Sequence, residues 1–289
     1  MRWLSDDAVA HLREITVAPE LTGTRYDLVR ELGRGGMGIV YEVVDRELAR
    51  SVAMKVVDHD WRGEAQIIAA LEHPGIVPVH DAGVLPDGRR YYTMKLVRGL
   101  RLDEWAAQPH GLTERLRLFV RICEPVAFAH ASGVVHRDLK PENVMVGDFG
   151  AVLVMDWGVA NAGGTHDHLL VGTAGYMSPE QARGEAVDAR ADVYALGATL
   201  AFLLKAAAVS RPLAAIIKRA TAQSASERYA NARELAEDVL RFIDAEPVSA
   251  YRENVLERSG RWLFRHRALV VLVLAYLAMR VIVFFWIRL

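Results

Sequence analysis

Three polar side chains within one short stretch have the makings of a phosphoryl-transfer site. Between His136 and Gly158 the chain reads HRDLKPENVMVGDFGAVLVMDWG. Asp138 is an acid able to accept a hydroxyl proton. Asn143 and Asp156 are an amide and an acid able to hold a metal ion. Val144-Met145-Val146 and Val152-Leu153-Val154-Met155 are short apolar runs separated by Gly147-Asp148-Phe149-Gly150. Gly and Asp supply turn geometry, so the spacing predicts a β-hairpin whose two ends bring the polar residues together. Such a set suits transfer of a phosphoryl group from a nucleotide–metal complex to a hydroxyl.

In this order, the residues resemble the catalytic loop of the protein kinase family, in particular the membrane-attached serine/threonine kinases of bacteria. Asp148-Phe149-Gly150 spells the family's metal-binding tripeptide letter for letter. It nevertheless falls in the turn and follows Asp138 too soon to leave room for both strands. Asp156-Trp157-Gly158 lies after the second strand, where the family has its metal acid, with Trp for the usual Phe. The resemblance makes Asp138 the carboxylate that orients the hydroxyl and accepts its proton, Lys140 a contact to the transferring phosphate, and Asn143 and Asp156 the metal ligands. His136 is read as a structural residue beneath the metal-acid motif.

Elements upstream must position the nucleotide. Tyr26 to Leu32 reads as a strand, and Gly33-Arg34-Gly35-Gly36-Met37-Gly38 follows. A lone G-x-G-x-x-G also occurs in dinucleotide folds. Here Val40-Tyr41-Glu42-Val43-Val44 alternates and is β-branched, so a second strand follows the glycines instead of a helix. Strand, glycine loop, strand is the kinase arrangement, and it implies that Leu32, Gly33, Arg34, Gly35, Gly36, Met37, Gly38, Val40 and Ala53 line the nucleotide. A third strand, Val52 to Val57, carries Lys55, the expected grip on the α- and β-phosphates. Its expected partner is Glu64, in a helical pattern that ends before His73-Pro74-Gly75. The two are only nine positions apart (64 − 55), about half the family's gap, so this helix has lost its first turns. Ile76–His80 and Arg90–Val97 read as two further strands. Met94 aligns with the back of the adenine pocket, and Lys95 to Val97 with the adenine edge.

Downstream, Thr113 is the expected cap of a long helix ending at Gly133. Arg137 resembles the arginine of kinases whose activation segment is ordered by a phosphate. Within the expected segment, residues 159–171, Thr165 is the candidate phosphosite. Thr173 is expected to bond toward Asp138 and Lys140, and Glu180 to pair with Arg228. Ser178 replaces the family's commoner Ala. Asp192, in a helix beginning near Asp188, is expected to anchor the catalytic-loop backbone. After Leu204 the chain passes almost at once to the next helix, so a loop and helix usual in the family are missing. Ala230–Ile243 reads as the last helix of the domain.

The 289 residues are 52% apolar and 25% charged with a net charge of −1, which gives no nucleic-acid footprint. The one cysteine, Cys123, sits in an apolar helical pattern and reads as a buried hydrophobe in a reducing compartment. Ser5-Asp6-Asp7 starts a short amphipathic helix, and no secretory signal is present. Arg258, Arg261, Arg265, His266 and Arg267 precede an apolar run over 268–287, long enough for a membrane span although Arg280 interrupts it. Basic residues before the span predict a cytoplasmic kinase side.

The expectation is therefore an α+β, bilobal protein-kinase-like fold, with a small antiparallel β N-lobe, a larger helical C-lobe and a C-terminal transmembrane helix. Its parts are an extension (1–25), N-lobe (26–97), C-lobe (98–245), basic juxtamembrane linker (246–267) and span (268–287). The implied reaction is transfer of the ATP γ-phosphoryl group, with Mg²⁺ (or Mn²⁺), to Ser or Thr of protein substrates, including the chain itself. A homodimer is compatible with this. The rival readings are a nucleotide-binding pseudokinase and a membrane-tethered scaffold.

Overall fold

The computed structural model describes residues 18–35, 38–57, 62–157, 161–162, 173, 175–205, 207–254, 258–259 and 266–288. Side chains at 62–65, 149, 161–162, 267–269, 281–282, 284–285 and 287–288 lie outside that description. So do the expected helix after Ser5, Gly36 and Met37 of the glycine loop, most of the activation segment with Thr165, and Arg261 and Arg265.

Five strands form the N-lobe sheet: β1 (Tyr26–Gly35), β2 (Gly38–Asp45), β3 (Arg50–Val57), β4 (Val79–Val84) and β5 (Arg90–Lys95). Their order is β1-β2-β3-β5-β4 and every pairing is antiparallel. Successive side chains of a strand point to opposite faces. On β3, accordingly, Val52, Met54 and Val56 join Ile39, Tyr41, Val43 and Tyr91 in a core of the N-lobe's own. The alternate residue Ala53 packs with Tyr92 and Met94 into the large core shared with the C-lobe. Lys55 has the same phase as Ala53 and so belongs to the cleft-facing side of the sheet.

Expected and observed elements differ in both lobes. The strand expected at Ile76–His80 runs instead from Val79 to Val84. Pro78 has no N–H to donate, and the pairing with β5 starts just beyond it. Ile76 and Val77 are buried, and Ile76 bridges Val154. Helix α1 spans Arg62–Ala70 and α2 spans Leu102–Ala106. Helix α3, Leu112–Ala131, is capped by the extended backbone of Gly111. Thr113 therefore lies inside the first turn rather than at the cap. The buried Arg115 guanidinium draws that turn in by donating to the carbonyls of Ala106, Gln108, His110 and Leu203.

The C-lobe is built on α3, α4 (Pro179–Ala182), α5 (Ala189–Leu203), α6 (Arg211–Ala220) and α7 (Ala232–Ile243). Their inward residues, including Phe119, Ile122, Leu200, Ile216 and Val239, are buried in one core. Cys123 is buried with them, and burial pushes its thiol well up from its ordinary value. Only residues 204–210 join α5 to α6. A small sheet of β6 (Gly99–Arg101), β8 (Val144–Gly147) and β9 (Val152–Val154) carries the hairpin, and β7 (Val134–Val135) pairs with β10 (Asn161–Ala162).

Packing against α7 continues past residue 245. Val248 is buried, and the Asp238 carboxylate accepts hydrogen bonds from Ser249 N (2.6 Å), Ser249 Oγ (2.8 Å) and Ala250 N (3.0 Å). The first residues of the expected linker are thus fastened to α7. Helix α8, Arg267–Arg288, follows, and its residues 271–280 are exposed. Among the described residues no helix is long and apolar enough to cross a membrane, so the span expected at 268–287 is not carried by the structure.

Candidate active site

β8 and β9 pair antiparallel, with Val144 opposite Val154. Met155 N also donates to Asn143 O at 2.8 Å, so the two ends of the hairpin meet. Asp138 and Asn143 lie at one end and Asp156 at the other. Asp148 sits in a tight helical turn at the far tip, Asp148–Gly150, where Gly150 takes a φ of +73°.

Asp138 is held on both carboxylate oxygens. Lys140 Nζ lies 2.9 Å from Oδ2, Asn143 Nδ2 donates to Oδ2 at 3.2 Å, and Thr173 Oγ1 donates to Oδ1 at 3.2 Å. Lys140 also donates to Thr173 Oγ1 at 2.7 Å. Across from this group, Lys55 Nζ meets Asp156 Oδ1 at 3.3 Å. The Lys55 side chain is 3% exposed and that of Asp156 40%, so the acid is the member of the pair that faces open space. Asp156 has a φ of +54°, a left-handed conformation that non-glycine residues keep only where neighbours enforce it. Whether Glu64 reaches Lys55 lies outside the described residues; Glu64 is placed only as part of α1.

Beneath the loop, buried Asp192 accepts from His136 N (2.8 Å) and Arg137 N (2.9 Å) and lies 2.8 Å from His130 Nε2. Burial alone would raise its pKa. The contact with His130 and the His136 amide outweigh that, and the carboxyl lies below its ordinary range. His136 is buried; its Nε2–H donates to Met155 O at 2.9 Å while Nδ1 accepts from Asp138 N at 3.3 Å. That pair of bonds defines one neutral tautomer. Trp157, the residue in place of Phe, is buried against the His136 ring, 4.5 Å between centroids.

Glu180 and Arg228 form a buried two-pronged pair, 2.6 Å through Nη1 and 2.7 Å through Nη2. Burial pushes the Glu180 carboxyl up, but the Arg228 guanidinium holds it below its ordinary value.

On the side expected to face the nucleotide, Gly35 pairs with Gly38 at the mouth of the glycine loop. Gly38 has φ +125°, and a Cβ there would collide with Val56 O, so only glycine fits. Leu32, Gly33, Arg34 and Gly35 are exposed on the same hairpin, and Val40 is half-buried behind it. Ala53 and Met94 are buried opposite each other on β3 and β5, with Lys95 exposed and Val97 half-buried at the strand's exit.

Two contributors escaped the sequence reading. His130 has no local signature. Gln181 had one: Ser178-Pro179-Glu180-Gln181 fits the S-x-x-Q capping box, and the structure forms that box at the start of α4.

Residues 26–246 match the protein kinase domain family. The chain belongs to the protein kinase family. It is similar to serine/threonine-protein kinase PknB of Mycobacterium tuberculosis, 34% identical over 285 residues, covering 80% of this chain and 45% of that protein. It is also similar to serine/threonine-protein kinase PrkC of Bacillus subtilis, 32% identical over 277 residues, covering 81% of this chain and 43% of that one. The chain spans less than half the length of these relatives.

Proposed function

We propose that the chain is an ATP-dependent serine/threonine protein kinase. The observation that carries this is the grip on Asp138: three side chains fix a largely buried carboxylate at one end of the hairpin, and at the other end a second acid, Asp156, is matched to a buried lysine. In this reading the substrate hydroxyl approaches Asp138, which orients it and takes its proton. Lys140 and Lys55 bring positive charge to the transferring phosphate and to the α- and β-phosphates, with Glu64 placing Lys55. Leu32 to Gly38, Val40, Ala53, Met94, Lys95 and Val97 form the nucleotide's bed. The rate gain then comes from positioning and charge stabilisation.

The donor set suits Mg²⁺. Asn143 Nδ2 is committed to Asp138 O at 2.8 Å, which leaves its carbonyl oxygen for a cation, and Asp156 supplies one carboxylate. Mg²⁺ favours one or two carboxylate-type ligands beside substrate phosphates over an all-protein cage. Among the described residues no cage of three or more His, Cys, Asp or Glu exists. When bound, the ion would neutralise charge on the phosphates; Mn²⁺ has the same ligand preferences.

Proposed roles extend to Arg137 and Thr165 in phosphate-dependent ordering of the activation segment. They extend also to anchoring of a cytoplasmic kinase domain by the apolar run at 268–287, supported by its composition and the basic residues before it. Incorporation of phosphate from Mg-ATP, compared between the wild type and Asp138→Asn, tests the activity. Strong incorporation by the wild type alone is expected; equal incorporation by both defeats the reading. Alkaline carbonate extraction of membranes tests the anchor, with the chain expected in the pellet.

A further inference from the structure

The residue before Asp138 is strained. Arg137 has a φ of +71°, a conformation that an arginine abandons unless its backbone is held. Both of its backbone polar groups are held, from different elements. Its N–H donates to Asp192 Oδ1 on α5 at 2.9 Å, and its carbonyl accepts from Gln181 Nε2 on α4 at 2.8 Å. The peptide plane that leads into Asp138 is therefore pinned at both edges: Gln181 takes the Arg137 oxygen, and His136 Nδ1 takes the Asp138 N–H at 3.3 Å. A rotation of this plane would swing the Asp138 side chain away from the hydroxyl it must meet.

Gln181 can do this only if its amide points one way. Ser178 imposes that direction. Gln181 Oε1 accepts from Ser178 N at 3.2 Å and from Ser178 Oγ at 2.9 Å, so the donating Nε2 is turned toward Arg137. Both residues are buried, Ser178 fully and Gln181 to 7% exposure, so water is a poor substitute for these bonds. Gln181 adjoins Glu180 and follows Thr173, which grips the Asp138 carboxylate itself. The activation segment's closing turn thus reaches Asp138 twice, through the side chain and through the backbone.

We propose that Gln181 is a positioning residue for Asp138, with Ser178 setting the direction of its amide. This rests on the reading of Asp138 as the catalytic carboxylate that takes the hydroxyl proton. The test combines steady-state kinetics and hydrogen–deuterium exchange on the full chain. Gln181→Met keeps the shape without the donor. Gln181→Glu keeps an acceptor for Ser178 but cannot donate to the Arg137 carbonyl as a carboxylate. Both are expected to speed exchange in the 134–143 peptide and to lower kcat roughly tenfold to a hundredfold, with KM for ATP within about twofold. Ser178→Ala should act in the same direction more weakly, and should add nothing to Gln181→Met. It also keeps the idea testable if the Gln181 variants fail to fold. Unchanged loop exchange with wild-type kcat would overturn the proposal. So would a parallel rise of exchange throughout the C-lobe with lost ATP affinity, since that marks a merely structural role. If the wild type transfers no phosphate, the kinase reading fails, and the exchange data still decide whether Gln181 holds the loop.

Discussion

Lys55 and Asp156 join the N-lobe sheet to the end of the C-lobe hairpin through one contact of 3.3 Å between Nζ and Oδ1. The lysine is buried and the acid is open to the cleft, so their chemistry is separable from their packing. Lys55→Met preserves most of the buried volume while removing the cation. We expect kcat/KM to fall by about 10²–10³, the usual loss when one preorganised charge contact is deleted. Thermal unfolding should shift little. Parallel kinetics and scanning fluorimetry check both halves.

The Glu180–Arg228 pair should behave in the opposite way. Removing one member leaves a buried charge without its partner, which costs about 3–5 kcal/mol. Glu180→Gln and Arg228→Met should each lower the urea midpoint strongly. Replacing both with apolar residues should cost less than the sum of the single changes. A double-mutant cycle read by urea unfolding measures this directly.

Acid should unfold the C-lobe through three carboxylates. Asp192, Glu180 and Asp238 all lie below their ordinary values in the folded chain. For each, burial acts upward and hydrogen-bond donors win: His130, Arg228 and the Ser249 amide respectively. A depressed folded-state pKa contributes stability that is complete above the ordinary values of 3.8 for Asp and 4.5 for Glu and is lost as pH falls through the folded values. Urea midpoints should hold steady from pH 7 to about 5 and then decline, and Asp192→Asn should flatten that decline.

Helix α7 ends in a strained turn that can be relieved. Ala245 has φ +54°, Glu246 N donates to Arg241 O at 2.7 Å and Ala245 N to Phe242 O at 3.2 Å. This two-bond closure favours glycine at the left-handed position. Left-handed backbone costs a non-glycine residue about 1–2 kcal/mol. The added freedom of glycine in the unfolded chain offsets about 0.4–1 kcal/mol of the gain. Ala245→Gly should therefore stabilise by about 0.5–1 kcal/mol, visible as a raised urea midpoint.

Much of the site was legible because its elements are local. Two β-branched runs around a glycine turn specify the hairpin, and the hairpin in turn separates Asp156 from the better-spelled Asp148. What sequence could not supply was tertiary. Pro78 shifts β4 by deleting a donor, and Arg115 reshapes the start of α3 by binding carbonyls as distant as Leu203. His130 serves Asp192 across 62 positions of chain, a relationship no local pattern encodes. Gln181 is the intermediate case: its cap was readable, whereas its reach to Arg137 required the fold.

Asp238 also sets a length. It holds the chain as far as Ala250, Tyr251 packs against the C-lobe core just beyond it, and α8 begins at Arg267, so at most fifteen residues, 252–266, separate the folded domain from that helix. Fully extended, such a tether reaches at most about 55 Å. On the anchored reading, the cleft samples a shallow shell above the bilayer, where a short leash raises the effective concentration of co-anchored hydroxyls toward the millimolar range. Weak contacts would then suffice to choose substrates. Unfastening Ser249 from Asp238 would lengthen the leash and widen that choice without altering a single atom of the cleft.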